Sequence, residues 1–213
     1  MKKVIIFGWG SGLSQLLKGL IEFPIDITAV VSMSDNGAST GRLREEFDIP
    51  AVGDITKVLM AMSTTSKGVK ELFSYRFAKD SSIGNHSIKN LIMTALLEMK
   101  GDFTHSLPIL CDLLDVKGKI LPLTEDNVTL MAELSNGKII EGEHNITLRK
   151  EKARIKKVYY KENAVATKEA LKAIKESDLI LFSMCSLFTS IIPNLLINSI
   201  IKEIEKSKSK IML

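Results

Sequence analysis

Residues 4–20 leave little freedom in the choice of fold. Val4-Ile5-Ile6-Phe7 is an unbroken apolar run, as in a strand buried on both faces of a parallel sheet. The turn Gly8-Trp9-Gly10-Ser11-Gly12 follows at once, and Leu13, Leu16, Leu17 and Leu20 then recur at helical spacing. A second β-branched run covers Ile25 to Met33. Strand, glycine-rich turn, helix and strand make a βαβ unit. The chain is therefore expected to be an α/β protein, a Rossmann-like parallel sheet with helices on both faces.

The rest of the chain extends that frame. Ser34–Gly41 reads as a polar loop, and Arg42–Phe47, Asp54–Met62, Val69–Phe77, Ile88–Met99 and Leu107–Leu114 read as helices, with Asp54 a helix cap. Val128–Leu134 and Lys138–Ile140 flank an Asn136-Gly137 turn, a hairpin signal, and Arg154–Tyr160 adds a strand. A small antiparallel insertion is expected near 118–160. Thr167–Glu176 is helical, Asp178–Ser183 a buried strand, Ile191–Lys206 one long helix, and Lys210–Leu213 the start of a further strand. With 213 residues, a single domain over 1–213 is expected.

Composition removes several function classes. The formal charge is +4 with aromatics at 6%, short of the dense basic and aromatic stripe of a nucleic-acid binder. Cys111 and Cys185 form no CxxC pair, which argues against a disulfide framework or a zinc site. The apolar stretch Leu187–Ile201 falls short of the ~20 residues that a membrane span needs. A cytoplasmic protein binding neither nucleic acid nor membrane is expected.

The turn at Gly8, Gly10 and Gly12 lets backbone approach a phosphate at the start of a helix, with Ser11 and Ser14 as hydroxyl donors. A tight ligand-free turn is the alternative. Asp35 ends the second strand, 23 residues after Gly12, where a carboxylate reaches a ribose hydroxyl. Gly37, Ser39 and Thr40 allow close ligand contact, and Arg42 and Arg44 suit phosphate. An Asx turn with solvated arginines is the competing reading. Asp54, His86, Ser87 and Asn90 are weaker candidates, as are Ser186 and Thr189 before the last helix.

Together these segments resemble the gluconeogenesis-factor family (YvcK-like), related to the CofD-like 2-phospho-L-lactate transferases. The resemblance rests on Gly8 to Ser14, Asp35 with Gly37, and Gly41 through Phe47. It continues in Gly53-Asp54-Ile55, Leu72 to Phe77, His86-Ser87 with Asn90-Leu91, Gly101-Asp102-Phe103, Leu121-Pro122 with Val128-Thr129-Leu130, and Ser186 to Leu196. It implies a regulator of carbon metabolism and cell shape that binds a nucleotide or UDP-sugar. The related transferases move a phospholactyl group with help from a divalent metal. The resemblance thus points to Mg²⁺ beside a bound nucleotide, with Asp35 as its ligand.

Departures accompany the match. Trp9 stands where the family has a glycine, Asn36 where it has a second Asp, Asn85 for a glycine before His86, and Ser183-Met184-Cys185 for Gly-Pro-Gly. Side chains at such places are expected to block a phosphate or strain the backbone, while Lys57 and Lys89 supply compensating charge. The family fold also runs on past Leu213. A shortened, partly degenerate relative acting only as an interaction protein, with a homodimer formed at the cut sheet edge, is a further expectation.

Overall fold

A computed structural model describes residues 1–37 and 39–213. The first half runs β1 (Lys2–Gly8), α1 (Gly10–Leu20), β2 (Ile25–Val31), α2 (Ala38–Phe47), α3 (Gly53–Met62), α4 (Lys67–Ser74), α5 (Ile88–Lys100) and α6 (Phe103–Leu113). The second half runs β3 (Lys119–Pro122), β4 (Leu130–Leu134), β5 (Ile139–Glu141), α7 (Glu143–Leu148), β6 (Ile155–Tyr160), α8 (Lys168–Glu176) and β7 (Leu179–Phe182). A π-helical turn (Leu187–Ile191) then leads through α9 (Ile192–Asn194) and α10 (Asn198–Lys206) to β8 (Lys210–Met212).

The main sheet has the order β3-β2-β1-β7-β8, with every pairing parallel. β1 is central, and its alternation divides the core. Val4 and Ile6 face one layer with Leu13, Leu17, Ile55, Leu59 and Met93. Ile5 and Phe7 face the other with Ala170, Ile174, Ile180 and Ile200. Helices therefore cover both faces, as the unbroken apolar run requires. Phe7 stacks on Phe182 of the neighbouring strand with ring centroids 5.3 Å apart. A smaller antiparallel sheet, β5-β4-β6, packs its buried face on Phe188, Ile192 and Leu196.

Five details differ from the sequence reading. The insertion is narrower than 118–160: β3, at its start, lies in the main sheet beside β2. Helix α2 begins four residues before Arg42, and α4 ends at Ser74, after which Phe77 N–H donates to His86 O in a hairpin-like loop. Asp54 is not a cap; Val52 holds that position and Asp54 lies inside the first turn of α3. The expected long helix is broken, the segments either side of residues 195–197 meeting at 70°. Pro193 has no N–H for the helical ladder, and Asn194 Nδ2 donates to the Ser190 and Ile191 carbonyls. No single helix among the described residues is long and apolar enough to cross a membrane.

Candidate functional site

Beyond the carboxyl ends of β1 and β2 lies a cavity of about 560 Å³. The β2–α2 connection and the start of α2 contribute Asp35, Gly37, Ser39 and Thr40, and α3 contributes Gly53 and Lys57. The loop between α4 and α5 adds Arg76, Lys79 and Asn85, α5 adds Lys89 and Asn90, and α7 of the small sheet adds His144. Of the residues singled out from the sequence, Asp35, Gly37, Ser39, Thr40 and Asn90 thus meet in one place.

The floor is a buried hydrogen-bond network. Ser39 Oγ and His86 Nδ1 lie 2.9 Å apart, and Asn90 Nδ2 donates to Ser39 Oγ at 3.4 Å. Thr56 Oγ1 donates to Asn90 Oδ1 at 2.7 Å and lies 2.9 Å from Gly53 O. Burial, followed by the Arg42 charge, holds the His86 imidazole below its ordinary pKa. His86 thus ties the start of α2 to the loop before α5 and does not itself line the cavity. Ser87 is fully buried, and among the described residues its hydroxyl has no partner.

The charges are uneven. Asp35 Oδ1 accepts the Gly37 N–H at 2.9 Å, an Asx turn that sets the loop. Asp54 lies behind it, 2% exposed, with Oδ1 2.8 Å from Lys57 Nζ and Oδ2, among the described residues, without a partner. Burial first and the Asp35 charge second push the Asp54 carboxyl up to about 7. Burial is the largest influence on the Lys57 ammonium and lowers it, but the Asp54, Asp35 and Glu143 charges together outweigh it, so Lys57 lies above its ordinary value. Lys89 goes the other way, lowered by burial and then by the Arg76 and Lys57 charges.

The arginines sit elsewhere. Arg42 donates to Gly84 O and so holds the α4–α5 loop against α2. Arg44 is buried and donates to Asp35 O at 3.1 Å, Val128 O at 2.8 Å and Asn127 Oδ1 at 2.6 Å. It ties the Asp35 loop to the entry of the small sheet. Asn36 Oδ1 accepts the His144 N–H at 2.9 Å, fixing the start of α7 at the cavity rim.

The glycine turn departs further from the sequence reading. A Cβ on Gly8 would overlap Ser183 Oγ, and one on Gly12 would lie 2.5 Å from both Cys185 Sγ and Met184 O. Both glycines are thus closed over by the loop after β7. Gly10, at φ +60°, needs its glycine backbone and faces Asp54. Trp9 neither closes a pocket nor offers a stacking face; it is buried in the core with Leu13 and Leu17, on extended backbone. Ser11 and Ser14 line a separate groove of about 790 Å³. Ser186 is exposed and Thr189 buried in the π-helical turn, and neither lines the cavity.

The family model described as 2-phospho-L-lactate transferase CofD matches residues 4–213. The chain belongs to the CofD family. This CofD-family chain is 42% identical over 209 residues to the gluconeogenesis factor of Bacillus subtilis (strain 168), covering 98% of the chain and 65% of that relative. It is 41% identical over 209 residues to the putative gluconeogenesis factor of Thermotoga maritima, covering 98% and 66%. A solved structure of a Bacillus halodurans protein superposes with a TM-score of 0.94 at 38% identity, covering 99% of this chain and 67% of that one. The chain thus spans about two thirds of the length of these CofD-family relatives.

The sequence reading named Lys57 and Lys89 as compensating charges, and both line the cavity. It did not single out Arg76, Lys79 or His144. Arg76 sits between Tyr75 and Phe77, an aromatic-flanked cation, which was its visible signal. Lys79 and His144 lie in segments with no periodicity, and only the tertiary fold delivers them.

Proposed function

We propose that this chain binds a nucleoside diphosphate sugar of the UDP-sugar type in the 560 Å³ cavity. In this reading it acts as a regulatory protein of the gluconeogenesis-factor type, linked to carbon metabolism and cell shape. One observation carries the reading: Lys57, Arg76, Lys79 and Lys89 converge on one cavity beside a single lining carboxylate, Asp35. Mutually repelling cations are relieved by a diphosphate, whose oxygens accept from ammonium and guanidinium groups alike. Asp35 lies four residues past the end of β2, in the β2–α2 connection rather than on the strand as its spacing suggested, and a carboxylate beyond this strand end can reach ribose hydroxyls. The volume lies within the ~300–1,000 Å³ usual for small-molecule sites.

Mg²⁺ fits the residues present. Asp54 Oδ2 is a buried oxygen with no partner among the described residues, and Asp35 lies close enough to raise the Asp54 pKa. Mg²⁺ takes one or two carboxylates and completes its shell with water and phosphate oxygens. Among the described residues no three carboxylate, histidine or cysteine groups cluster, so the nucleotide has to supply the remaining ligands. When bound, the ion would neutralise phosphate charge. Lys57 would share Asp54 with it, and Asn90, Ser39 and Thr56 would hold α2, α3 and α5 in place around it.

The Asp35–Asp54 pair also favours a second reading, a 2-phospho-L-lactate transferase-like activity. Thermal unfolding with UDP-sugars, UDP, GDP and GTP, each with and without Mg²⁺, tests the first reading. Ligand at about a hundred times its dissociation constant stabilises by ~2.7 kcal/mol, roughly 5–11 °C at ~2–4 °C per kcal/mol for a chain of this size. A shift with a UDP-sugar, lost in Lys79→Ala/Lys89→Ala and without turnover, supports the regulator. Turnover supports the transferase. A cooperative melt that no nucleotide moves would leave an interaction protein.

A further inference from the structure

We propose that the groove between α1, α3 and α4 is a second ligand site, for a small hydroxylated phosphate of the sugar-phosphate class. The groove measures about 790 Å³ and opens beside the nucleotide cavity. Binding there does not depend on the nucleotide reading; only the coupling described below does.

Charge supplies the first half of the argument. Lys18, Lys57, Lys70 and Lys89 line the groove, against the single carboxylate of Glu22. Lys57 is paired with Asp54, but among the described residues Lys18, Lys70 and Lys89 make no ion pair within 4.0 Å. Lys89 is half-buried with other cations as its charged neighbours. A concave surface with this imbalance attracts an anion.

The hydroxyls supply the second half. Ser14 Oγ donates to Gly10 O at 2.8 Å, and Thr64 Oγ1 donates to Asp115 O at 2.8 Å. Their protons are committed, so they offer the groove lone pairs, as the Glu22 carboxylate does. Ser11, Gln15 and Ser74 line the same groove and add donors of their own, so a ligand that pairs with the whole wall brings negative charge for the donors and O–H groups for Ser14, Thr64 and Glu22. Inorganic phosphate brings the charge with at most a proton or two, and a neutral sugar brings the donors without charge. Ile21, Met60 and Ala61 add an apolar strip suited to the C–H face of a sugar ring.

Lys57 and Lys89 line both the groove and the nucleotide cavity. An anion in the groove draws on the same positive charge that a diphosphate uses, so each ligand weakens the other by an equal factor. The chain would thus lower its nucleotide affinity as sugar phosphate accumulates.

Isothermal titration of the full chain with glucose 6-phosphate, with glucose and inorganic phosphate as separate arms, tests the site. Glucose 6-phosphate is expected to bind at least about tenfold more tightly than either, the value of one charge-assisted hydrogen bond. Lys18→Ala/Lys70→Ala, remote from the nucleotide cavity, should cost about tenfold or more for glucose 6-phosphate on the same scale. That variant should leave UDP-sugar affinity unchanged, and Lys79→Ala should do the reverse. Saturating glucose 6-phosphate should raise the UDP-sugar dissociation constant. The proposal is overturned by equal binding of inorganic phosphate, by no binding to the folded chain, or by a glucose 6-phosphate response to Lys79→Ala but not to Lys18→Ala/Lys70→Ala. If no UDP-sugar binds while glucose 6-phosphate does, the nucleotide reading fails and the groove stands.

Discussion

Replacing Asp54 with asparagine removes a carboxyl that burial holds at about 7, against an ordinary value of 3.8. Because the folded-state value is the higher one, the native chain binds this proton more tightly than the unfolded chain does. The stability this group lends is complete below about pH 3.8 and is lost as pH rises through about 7. About three pKa units at ~1.36 kcal/mol each make that loss roughly 4 kcal/mol. Asparagine has no such dependence. It leaves a buried amide group short of a partner, a pH-independent cost of about 1–3 kcal/mol. The variant should therefore be the less stable protein at pH 4 and the more stable one at pH 8.5, by about 1–3 kcal/mol in the latter case. Urea unfolding of both proteins at half-unit pH steps reads the difference directly. Parallel stability curves between pH 4 and 8.5 would refute the reasoning, because they would mean that Asp54 is ionised in the native state with no penalty. The variant should also lose any Mg²⁺-dependent part of nucleotide binding, which ties the buried carboxylate to function.

Trp9→Gly restores a glycine to the turn but empties a core position, and should destabilise by about 3–5 kcal/mol in chemical denaturation; unchanged stability with improved nucleotide binding would mean that Trp9 guards the pocket. Gly53→Ala places a Cβ 2.6 Å from Asp35 Oδ2 and in overlap with Thr40 Oγ1. It should cost about 1–3 kcal/mol of stability by overpacking and weaken nucleotide binding in titration calorimetry, whereas intact affinity would separate α3 from the site. Asn36→Asp keeps the acceptor for the His144 N–H, so Mg²⁺ affinity in the presence of UDP should stay unchanged. A marked gain would put residue 36 at the metal instead.

The parallel sheet was legible because β1 is an unbroken apolar run at the head of a βαβ pattern, and its burial on both faces forced helices onto both sides. The Asn136-Gly137 hairpin was legible from turn chemistry alone. What escaped depended on tertiary contact. β3 is four residues with no alternation, and it joins the main sheet only by pairing with β2. The last helix reads as continuous until Pro193 and the Asn194 side chain divert the backbone bonds of its first turn.

The site shows the same division more sharply. Residues fixed by local geometry, such as Asp35 with its Gly37 turn, could be placed from their spacing. Arg76, Lys79 and His144 could not, because they arrive from the loop between two helices and from the six-residue helix α7 beside the small sheet. The replaced glycines carry the most physical information. Strain was expected at these positions, but of Trp9, Asn85, Ser183 and Cys185 only Asn85 has a positive φ, at 64°, a conformation that Asn tolerates. Trp9 escapes strain by turning into the core, and Ser183 and Cys185 do so by packing against Gly8 and Gly12. The glycine turn has thus become an internal joint between β1 and the loop after β7. In the proposed reading, anion recognition falls instead to the lysines and arginine that α3, α5 and the loop between α4 and α5 bring to the cavity.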